Sequence, residues 1–258
     1  MDGTTGHGEF SGLTAAVTGG SSGIGAATAA LLIERGARVA VLDVQAPPEA
    51  DPVAGARFVP CDVTSTDGVR AAVLVIEAEL GGLDILVNNA GVGAQGDVTA
   101  QDGEAWLRLL DVNVVGMARV TAAALPLLRR SRHASIVNTA SVVAVLGVPD
   151  RALYAASKGA VLALTLAMAA DHIAEGIRVN AVAPGTTDTP WVGRLLAAAD
   201  DPAAAAEALR RRQPLGRLVA AGEVAEAIAY LASPRSASTT GTVLGVDGGM
   251  RTLRVPVR

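Results

Sequence analysis

Thr18-Gly19-Gly20-Ser21-Ser22-Gly23-Ile24-Gly25 lies between a short apolar run, residues 13–18, and a helical pattern over residues 22–35. Glycines at a strand-to-helix turn let the backbone bend tightly and let N–H groups approach a pyrophosphate. The N-terminus of the following helix favours the negative charge of that group. A glycine-rich turn is a weak signal alone, but this position between strand and helix predicts a nucleotide-binding α/β fold.

The rest of the chain alternates short β-rich runs with longer helical patterns. Strands are predicted at residues 13–18, 38–43, 57–61, 83–87, 135–139, 177–182 and 242–246. Helices are predicted at residues 22–35, 66–80, 101–130, 151–175 and 222–233, with Pro126 kinking the last turn of the third. This alternation predicts a Rossmann-type, doubly wound sheet of seven mostly parallel strands flanked by helices.

The chain suits one α/β domain because its 258 residues supply a full core. We expect a flexible tail at residues 1–10 and a single NAD-binding catalytic domain at residues 11–258. The irregular segment 186–219 breaks the alternation, and its place after a strand suits a substrate lid. Within it, Asp200-Asp201-Pro202 followed by an alanine run predicts a short helix.

Composition bounds the location and the partners of the protein. Half of the residues are hydrophobic, but the longest strongly apolar stretch, residues 159–170, is too short to span a membrane. The N-terminal residues lack the apolar core of a secretory signal, and the single cysteine, Cys61, suits a reducing compartment. We therefore expect a cytoplasmic protein without a membrane partner.

The charge balance argues against nucleic-acid binding, because the formal net charge is −4. Arginines cluster at 129, 130 and 132, at 210–212, and at 251, 254 and 258. The first two clusters follow helical runs, so we interpret them as solvated helix ends, where cations suit the helix dipole. The histidines at 7, 133 and 172 are scattered and have no metal-ligand spacing, so no metal site is predicted.

Lys158 is the only lysine of the chain, which carries twenty arginines, and it follows Tyr154 by four positions. Residues four apart share one face of a helix. A phenol beside an ammonium forms a general acid/base pair, and the cation is expected to lower the pKa of Tyr154. Such pairs also occur on ordinary helix surfaces, but the scarcity of lysine and tyrosine favours a catalytic interpretation.

Asp43 ends the second predicted strand, the position from which a carboxylate reaches the adenosine ribose of a dinucleotide. The same carboxylate would repel a 2′-phosphate, and neither Ser22 nor Val44 brings a compensating positive charge. We therefore predict NAD rather than NADP as the cofactor. The alternative is that Asp43 only caps the end of its strand.

Several further segments fall into one known pattern. They are Cys61-Asp62-Val63, Asn88-Asn89-Ala90-Gly91, Asn113, Ser141 thirteen positions before Tyr154, Tyr154-Ala155-Ala156-Ser157-Lys158, Arg178-Val179-Asn180-Ala181-Val182-Ala183-Pro184-Gly185 and Val246-Asp247-Gly248-Gly249. With the turn at residues 18–25, they resemble the short-chain dehydrogenase/reductase family from about Gly12 to Gly249. One departure is Ala144, where family members often carry glycine, so the shape of that loop stays open.

The resemblance implies a catalytic set and a cofactor site. The catalytic residues would be Asn113, Ser141, Tyr154 and Lys158, with Ser141 and Tyr154 binding the substrate. The cofactor would contact Gly19, Ser21, Ser22, Gly23, Ile24, Gly25, Asp43, Asp62, Val63, Asn89, Ala90, Gly91, Tyr154, Lys158, Pro184, Gly185, Thr187 and Thr189. Asn113 would hold a water that links Lys158 to solvent, and Thr187 and Thr189 would fix the nicotinamide carboxamide.

The implied function is an oxidoreductase that transfers hydride between NAD(H) and a secondary alcohol or ketone. The alternatives are an NADPH-dependent 3-oxoacyl reductase of lipid synthesis and a non-catalytic NAD-binding regulatory module. Apolar residues near the predicted site suggest either an apolar pocket or lid packing: Val142, Val143, Val145, Leu146, Trp191, Leu195 and Leu196. By the same resemblance the protein would assemble as a homotetramer through the apolar helix at residues 151–175.

Overall fold

A computed structural model describes residues 8–47 and 53–255. The strands are β1 (Thr14–Thr18), β2 (Arg38–Asp43), β3 (Arg57–Pro60), β4 (Ile85–Asn88), β5 (Ser135–Thr139), β6 (Arg178–Pro184), β7 (Thr187–Asp188), β8 (Val219–Ala220) and β9 (Val243–Val246). Seven of them form one parallel sheet in the order β3-β2-β1-β4-β5-β6-β9. The predicted doubly wound, seven-stranded fold is confirmed.

Helices cover both faces of this sheet. They are α1 (Gly23–Glu34), α2 (Thr66–Leu80), α3 (Gly103–Leu110), α4 (Gly116–Leu128), α5 (Ala152–His172), α6 (Pro190–Ala197), α7 (Pro202–Arg211) and α8 (Ala221–Ala232). Buried residues of α1 and α8 pack on one face, and buried residues of α2, α4 and α5 pack on the other. Side chains alternate between the two faces of a sheet along each strand. In β2, Val39 and Val41 therefore pack with α1 and α8, whereas Ala40 and Leu42 pack with α2, α4 and α5.

The predicted continuous helix at residues 101–130 is wrong in its middle. A π-helical turn at Asp111–Val115 separates α3 from α4, and Pro126 lies within the last turn of α4. The cause is a contact distant in sequence: the side-chain oxygen of Asn113 accepts a hydrogen bond from the backbone N–H of Val92, at 2.8 Å. A π turn places one extra residue in the helix, which directs this side chain inward.

Residues 8–10 of the predicted flexible tail are instead part of the folded domain. Residues 1–7 lie outside the described part of the chain, but Phe10 is completely buried beside α1 and α8. Its backbone N–H donates to the carbonyl oxygen of Arg35, and Glu9 accepts a hydrogen bond from Ser233. The folded domain therefore includes residues 8–10.

A buried chain of polar side chains joins α4, β4, β5 and α5. Asn88 donates to Thr121, at 3.0 Å, and to Asn138, at 2.9 Å. Asn138 in turn donates to Thr165, at 2.9 Å. All four residues are buried, so each donor satisfied inside the core avoids a desolvation penalty. This chain fixes the two central strands relative to the helix that carries Tyr154.

The predicted lid at residues 186–219 holds α6 and α7 between the two short strands β7 and β8, which pair with each other. The short helix expected after Asp200 is α7, capped by Asp201, whose carboxylate accepts a hydrogen bond from Ala204. The parallel pair at the two ends of the segment was not predicted, since two-residue strands leave no periodic signal. This pairing brings the two ends of the segment 186–219 together.

Two helical segments, Gly103–Leu128 and Ala152–Glu175, are long and apolar enough to cross a membrane by length and composition alone. In both, 39% of the most apolar window is buried inside the chain. The second segment contains α5 and packs against β6, and the first packs on α2 and on the sheet. Both therefore serve as core helices of an α/β domain, and each keeps an apolar outer face.

Candidate active site

One cavity of about 850 Å³ follows the carboxyl edge of the sheet. It runs from Asp43 and Asp62, at the ends of β2 and β3, to Ser141 and Tyr154 beyond the end of β5. In a doubly wound sheet the crevice at this edge is where ligands bind, because the chain leaves neighbouring strands toward opposite faces there. Between β1 and β4 the strand order reverses, and the glycine-rich turn lies at this point.

The glycine-rich turn brings the backbone close to a neighbouring loop. Gly19 has a φ of 61°, and a side chain there would lie 2.8 Å from the Cα atom of Ala90. A side chain at Gly25 would lie 2.1 Å from the carbonyl oxygen of Gly19. Larger residues would therefore fill the cradle at the N-terminus of α1. The cavity is lined here by Gly19, Ser22, Gly23 and Ile24.

Two of the predicted cofactor residues in this turn, Ser21 and Gly25, do not line the cavity. Ser21 is buried, and its hydroxyl donates to the carbonyl oxygen of Gln45 at 2.7 Å. Gly25 is also buried, and neither residue lines the cavity. Both shape the turn from within the fold.

Asp43 both supports the turn and faces the cavity. Its carboxylate accepts hydrogen bonds from the backbone N–H groups of Ser21, at 3.1 Å, and Gln45, at 3.3 Å. The side chain is half-buried and lines the cavity, as Val44 also does. The strand-capping and cofactor-binding interpretations of Asp43 are therefore compatible, because the carboxylate holds the turn while facing the open space.

Asp62 and Val63 extend the same end of the cavity. Hydrogen bonds from the hydroxyl and the backbone N–H of Thr64, at 2.7 and 2.8 Å, lower the pKa of Asp62. Val63 is buried and packs closely against Gly116, the first residue of α4. Both residues line the cavity, as the sequence predicts.

The segment after β4 links the glycine-rich turn to the catalytic residues. The amide of Asn89 donates to the carbonyl oxygens of Thr18, at 3.2 Å, and Gly19, at 3.1 Å. A side chain at Gly91 would lie 3.5 Å from Nζ of Lys158 and 3.2 Å from Oδ1 of Asn113. Asn89, Ala90 and Gly91 all line the cavity.

Asn113 supports the site without reaching the cavity. It is completely buried, and its amide donates to the carbonyl oxygen of Val92, at 2.9 Å, and to the hydroxyl of Ser157, at 3.1 Å. Its side-chain oxygen also accepts from Val92, so both amide hydrogens and one of the two acceptor positions of the oxygen are engaged within the protein. Asn113 therefore ties the loop after β4 to α5.

Lys158 is a buried ammonium. Its side chain is 3% exposed, and Nζ donates to the carbonyl oxygen of Thr139, the last residue of β5, at 2.8 Å. Nζ lies 5.8 Å from the centre of the Tyr154 ring. Burial lowers the pKa of Lys158 to about 8, because the charged form is poorly solvated there.

The expected net lowering of the pKa of Tyr154 by Lys158 is wrong. Burial raises the pKa of Tyr154, and this outweighs the opposing effects of the Ser141 hydroxyl and of the positive charge of Arg151. The i,i+4 spacing predicts that Lys158 lies near Tyr154, but it does not predict how strongly burial desolvates the phenol and raises its pKa. Ser141, at the start of a 3-10 turn over Val142–Ala144, is the neighbour that favours the phenolate most.

The loop at Ala144 keeps Ser141 facing the cavity. Ala144 is not among the described residues with positive φ, so a glycine is not required there. Five of the seven suggested apolar residues line the cavity: Val142, Val143, Trp191, Leu195 and Leu196. Val145 and Leu146 do not, and Val145 is exposed.

The lid begins beside the glycine-rich turn. Pro184, Gly185, Thr187 and Thr189 line the cavity. The hydroxyl oxygen of Thr189 caps α6, and its methyl group would lie 3.3 Å from a side chain at Gly23. The ring of Trp191 lies over Gly93, where an added side chain would come within 2.4 Å of it. These contacts hold Thr189 and Trp191, both in the segment 186–219, against the cavity wall.

Sequence reasoning missed two charged cavity residues, Arg151 and Arg212. Arg212 was assigned to a solvated helix end, an assignment that suits Arg210 and Arg211, which pair with Glu207 at 3.1 and 3.3 Å. The position of Arg151 three residues before Tyr154 was an available signal. Within residues 8–47 and 53–255, no three histidine, cysteine or acidic side chains are grouped as metal ligands would be.

The arrangement fits a nicotinamide dinucleotide. The cradle at Gly19 and Gly25 excludes side chains where a pyrophosphate would meet the N-terminus of α1, and Asp43 faces the cavity at the adenosine end. Tyr154, Lys158 and Ser141 lie together at the other end. Fold and site together define a nicotinamide-dependent oxidoreductase with a tyrosine as its candidate acid/base.

Comparison with known proteins agrees with this class. A family profile described as "Enoyl-(Acyl carrier protein) reductase" matches residues 19–251. The chain is 42% identical to cis-4-hydroxycyclohexanecarboxylate dehydrogenase of Sinomonas cyclohexanicum, over 93% of this chain and 97% of the relative. It is 37% identical to the 3-oxoacyl-[acyl-carrier-protein] reductase FabG of Thermotoga maritima, over 91% of this chain and 96% of the relative.

Among solved structures, the aldohexose dehydrogenase of Thermoplasma acidophilum superimposes with a TM-score of 0.89 at 35% identity, covering 97% of this chain and all of that one. The chain belongs to the short-chain dehydrogenase/reductase family. It is accordingly an oxidoreductase that uses a nicotinamide cofactor and acts on hydroxyl or keto groups of small molecules.

Replacing the buried ammonium should change how stability depends on pH. Burial lowers the pKa of Lys158 from its ordinary 10.5 to about 8, so between these values the unfolded chain binds a proton that the folded chain does not. Stability should therefore rise with pH in this window, by about 2 kcal/mol between about pH 7.5 and pH 9.5. Lys158→Met lacks this gain and should be the more stable protein near neutral pH.

The measurement is the free energy of unfolding by denaturant, for both proteins, without cofactor. Tyr154 is present in both and cancels, and the chain has no other lysine to contribute. A difference between the two proteins that does not change with pH would show that Lys158 has the same pKa in the folded and the unfolded chain.

Proposed function

We propose that the protein is an NAD-dependent dehydrogenase that interconverts a secondary alcohol and its ketone, with Tyr154 as the general acid/base. The observation that carries this proposal is the convergence of Ser141, Tyr154 and Lys158 at one end of a cavity whose other end carries Asp43. The name of the relative from Sinomonas supports it, since a 4-hydroxycyclohexanecarboxylate is a secondary alcohol.

Each catalytic residue has one task in the oxidation. Tyr154 takes the hydroxyl proton, and the hydroxyl of Ser141 donates a hydrogen bond to the substrate oxygen as charge develops on it. The nicotinamide, when bound, supplies the acceptor for the hydride that leaves the carbinol carbon. The products are a ketone and one proton, which Tyr154 must pass on before the next turnover.

The phenol needs help to release its proton, because burial raises its pKa. Ser141 and the charge of Arg151 act in the opposite direction, and Nζ of Lys158 lies 5.8 Å from the centre of the same ring. We infer that Lys158 passes the proton onward, since a pKa of about 8 lets it gain and lose one near neutral pH. Asn113 would hold the water of this relay, although both hydrogens of its amide are already donated to Val92 and Ser157.

NAD is favoured over NADP by the charges at the adenosine end. Asp43 and Asp62 line the cavity there, and no lysine or arginine lines it near them. A 2′-phosphate would therefore meet a carboxylate without a compensating cation. At the nicotinamide end, Pro184, Gly185, Thr187 and Thr189 line the cavity and supply the contacts proposed for the carboxamide.

A 3-oxoacyl reductase that uses NADPH is the second candidate, favoured by the similarity to FabG of Thermotoga maritima. It requires a cofactor that Asp43 opposes. A non-catalytic NAD-binding module is a third candidate, but it would not need the Ser141, Tyr154 and Lys158 set. The substitutions below separate all three.

We also propose that the protein is a cytoplasmic homotetramer. The outer face of α5 is apolar and exposed, including Ala163, Leu166 and Ala167, and Val115 beside α4 is exposed as well. Exposed apolar faces of this kind are typical of subunit interfaces. Light scattering should give about four times the mass of the 25.8 kDa chain. A monomer mass at micromolar concentration would contradict the proposal.

Tyr154→Phe should reduce oxidation by at least about 100-fold, because loss of a general acid/base removes 10²–10⁴ of rate. The assay follows formation of the reduced cofactor from NAD⁺ with cyclohexanol, 3-hydroxybutyrate, 4-hydroxycyclohexanecarboxylate and the methyl esters of both acids. The matched control is Tyr230→Phe, which changes the only other tyrosine, half-exposed on α8, and should leave activity intact. Equal rates for Tyr154→Phe and the parent protein would exclude the proposed chemistry.

Asp43→Asn should raise the ratio of kcat/KM with NADP⁺ to kcat/KM with NAD⁺ by at least about tenfold, because the repelling charge is removed. Asparagine keeps an oxygen that can accept the hydrogen bond from Ser21, so the turn is retained. Asp67→Asn, in the first turn of α2, removes an equal charge from an exposed site. If the ratio stays constant in Asp43→Asn, Asp43 only caps its strand.

A further inference from the structure

Two arginines line the cavity at the end where Tyr154 lies. Among the residues that the structure describes, five charged ones line the cavity: Asp43, Asp62, Arg151, Lys158 and Arg212. The two acids follow β2 and β3. From β2 to β5 there are three strand spacings, or about 14 Å at roughly 4.8 Å each. The arginines therefore lie away from the adenosine end, and they are not placed to neutralise a phosphate there.

Arg151 is held in place by the backbone on both sides. Gly96 donates to the carbonyl oxygen of Asp150, at 3.0 Å, and accepts from the N–H of Ala152, at 3.3 Å. The guanidinium donates to the same Asp150 carbonyl, also at 3.0 Å. Asp150 is the non-glycine residue with positive φ among those described, at 57°. The chain thus adopts a disfavoured conformation immediately before this arginine.

Arg212 follows α7 as its C-cap residue and has different contacts from the two arginines before it. Arg210 and Arg211 pair with Glu207, whereas Arg212 lines the cavity and forms no ion pair with any described residue. The next residue, Gln213, is buried and anchors this end of the lid. Its amide donates to the carbonyl oxygens of Thr186, at 3.1 Å, and Arg217, at 2.7 Å.

The two guanidinium groups are close enough to affect each other. Burial lowers the pKa of Arg151, and the charge of Arg212 lowers it further. Asp150 and Tyr154 attract Arg151, but neither forms an ion pair with it among the described residues. Two neighbouring cations without a bridging acid are an unfavourable arrangement that a bound anion would relieve.

We propose that Arg151 and Arg212 bind an anionic group, a carboxylate or a sulfonate, on the substrate that Tyr154 oxidises. This inference rests on the proposed function. The cavity is also lined by apolar side chains, Val143, Val148, Leu195 and Leu209 among them, which suit a substrate with a hydrocarbon body. The substrate class is a secondary alcohol with an apolar body and one anionic end.

The spacing along α5 limits the length of that substrate. Arg151 is the N-cap residue of α5, and Tyr154 follows it by three residues in the first turn of the helix, roughly 4.5 Å further along the axis. The anionic group therefore lies a few bonds from the carbinol carbon. Because Arg212 belongs to the lid, the same anion would join the lid to α5.

The kinetic test compares each hydroxy acid of the panel with its uncharged methyl ester. Arg151→Met and Arg212→Met should each lower the acid-to-ester ratio of kcat/KM by about tenfold or more, since each removes a charge-assisted hydrogen bond. The ratio is used because loss of Arg151 also affects the pKa of Tyr154 and so changes absolute rates. Arg211→Met, one residue away and paired with Glu207, is the matched control and should keep the ratio of the parent protein.

A binding test without turnover keeps the inference separate from the proposed function. Titration calorimetry of the protein with NADH would compare cyclohexanecarboxylate with the neutral cyclohexanecarboxamide. The carboxylate should bind the parent protein and Arg211→Met at least about tenfold more tightly than it binds either cavity variant.

The combined outcomes assign success or failure to each idea. If esters are oxidised as well as acids, and all variants bind the carboxylate equally, the anion site is overturned while the dehydrogenase function stands. If no alcohol is oxidised but carboxylate binding depends on both arginines, the anion site stands and the proposed function fails.

Discussion

A buried ammonium is the constraint on which the site depends. Lys158 is 3% exposed, and among the described residues its hydrogen-bond acceptor is the carbonyl of Thr139, with no carboxylate paired to it. An isolated charge in such a place is unfavourable unless polar groups are held ready around it. The carboxyl end of β5 supplies that group. The position of Tyr154, four residues earlier on the same helix, follows from where Lys158 must lie.

The surrounding polar contacts make this arrangement rigid. The chain from Thr121 through Asn88 and Asn138 to Thr165 holds β5 against α5, so the Thr139 carbonyl and Lys158 cannot move apart without breaking buried hydrogen bonds. Asn113 adds a second connection, from the loop after β4 to Ser157, one residue before Lys158. Each of these bonds contributes modestly, but leaving any of these groups unpaired would be costly. The core is therefore polar where the chemistry requires a fixed geometry.

Sequence patterns predicted the features that depend on interactions between residues close together in the chain. Strand and helix periodicity, the glycine-rich turn and the Tyr154–Lys158 spacing were all readable, and the fold was confirmed. The π turn was not, because it results from a hydrogen bond between Asn113 and Val92, twenty-one positions apart. The pKa of Tyr154 depends on burial, which no spacing reveals. The directions of Arg211 and Arg212 differ only because one meets Glu207 and the other meets the cavity.

The distribution of charge explains how one cavity distinguishes two ligands. Carboxylates lie only at the β2 and β3 end, whereas all three cations lie around Tyr154. Of these, Lys158 is bonded to the backbone, which leaves the guanidinium groups as the exposed positive charge. A negative group entering from solvent is attracted to the Tyr154 end and repelled from Asp43. The orientation of a charged substrate would then be determined before any contact with Ser141, because electrostatic attraction acts over longer distances than hydrogen bonds.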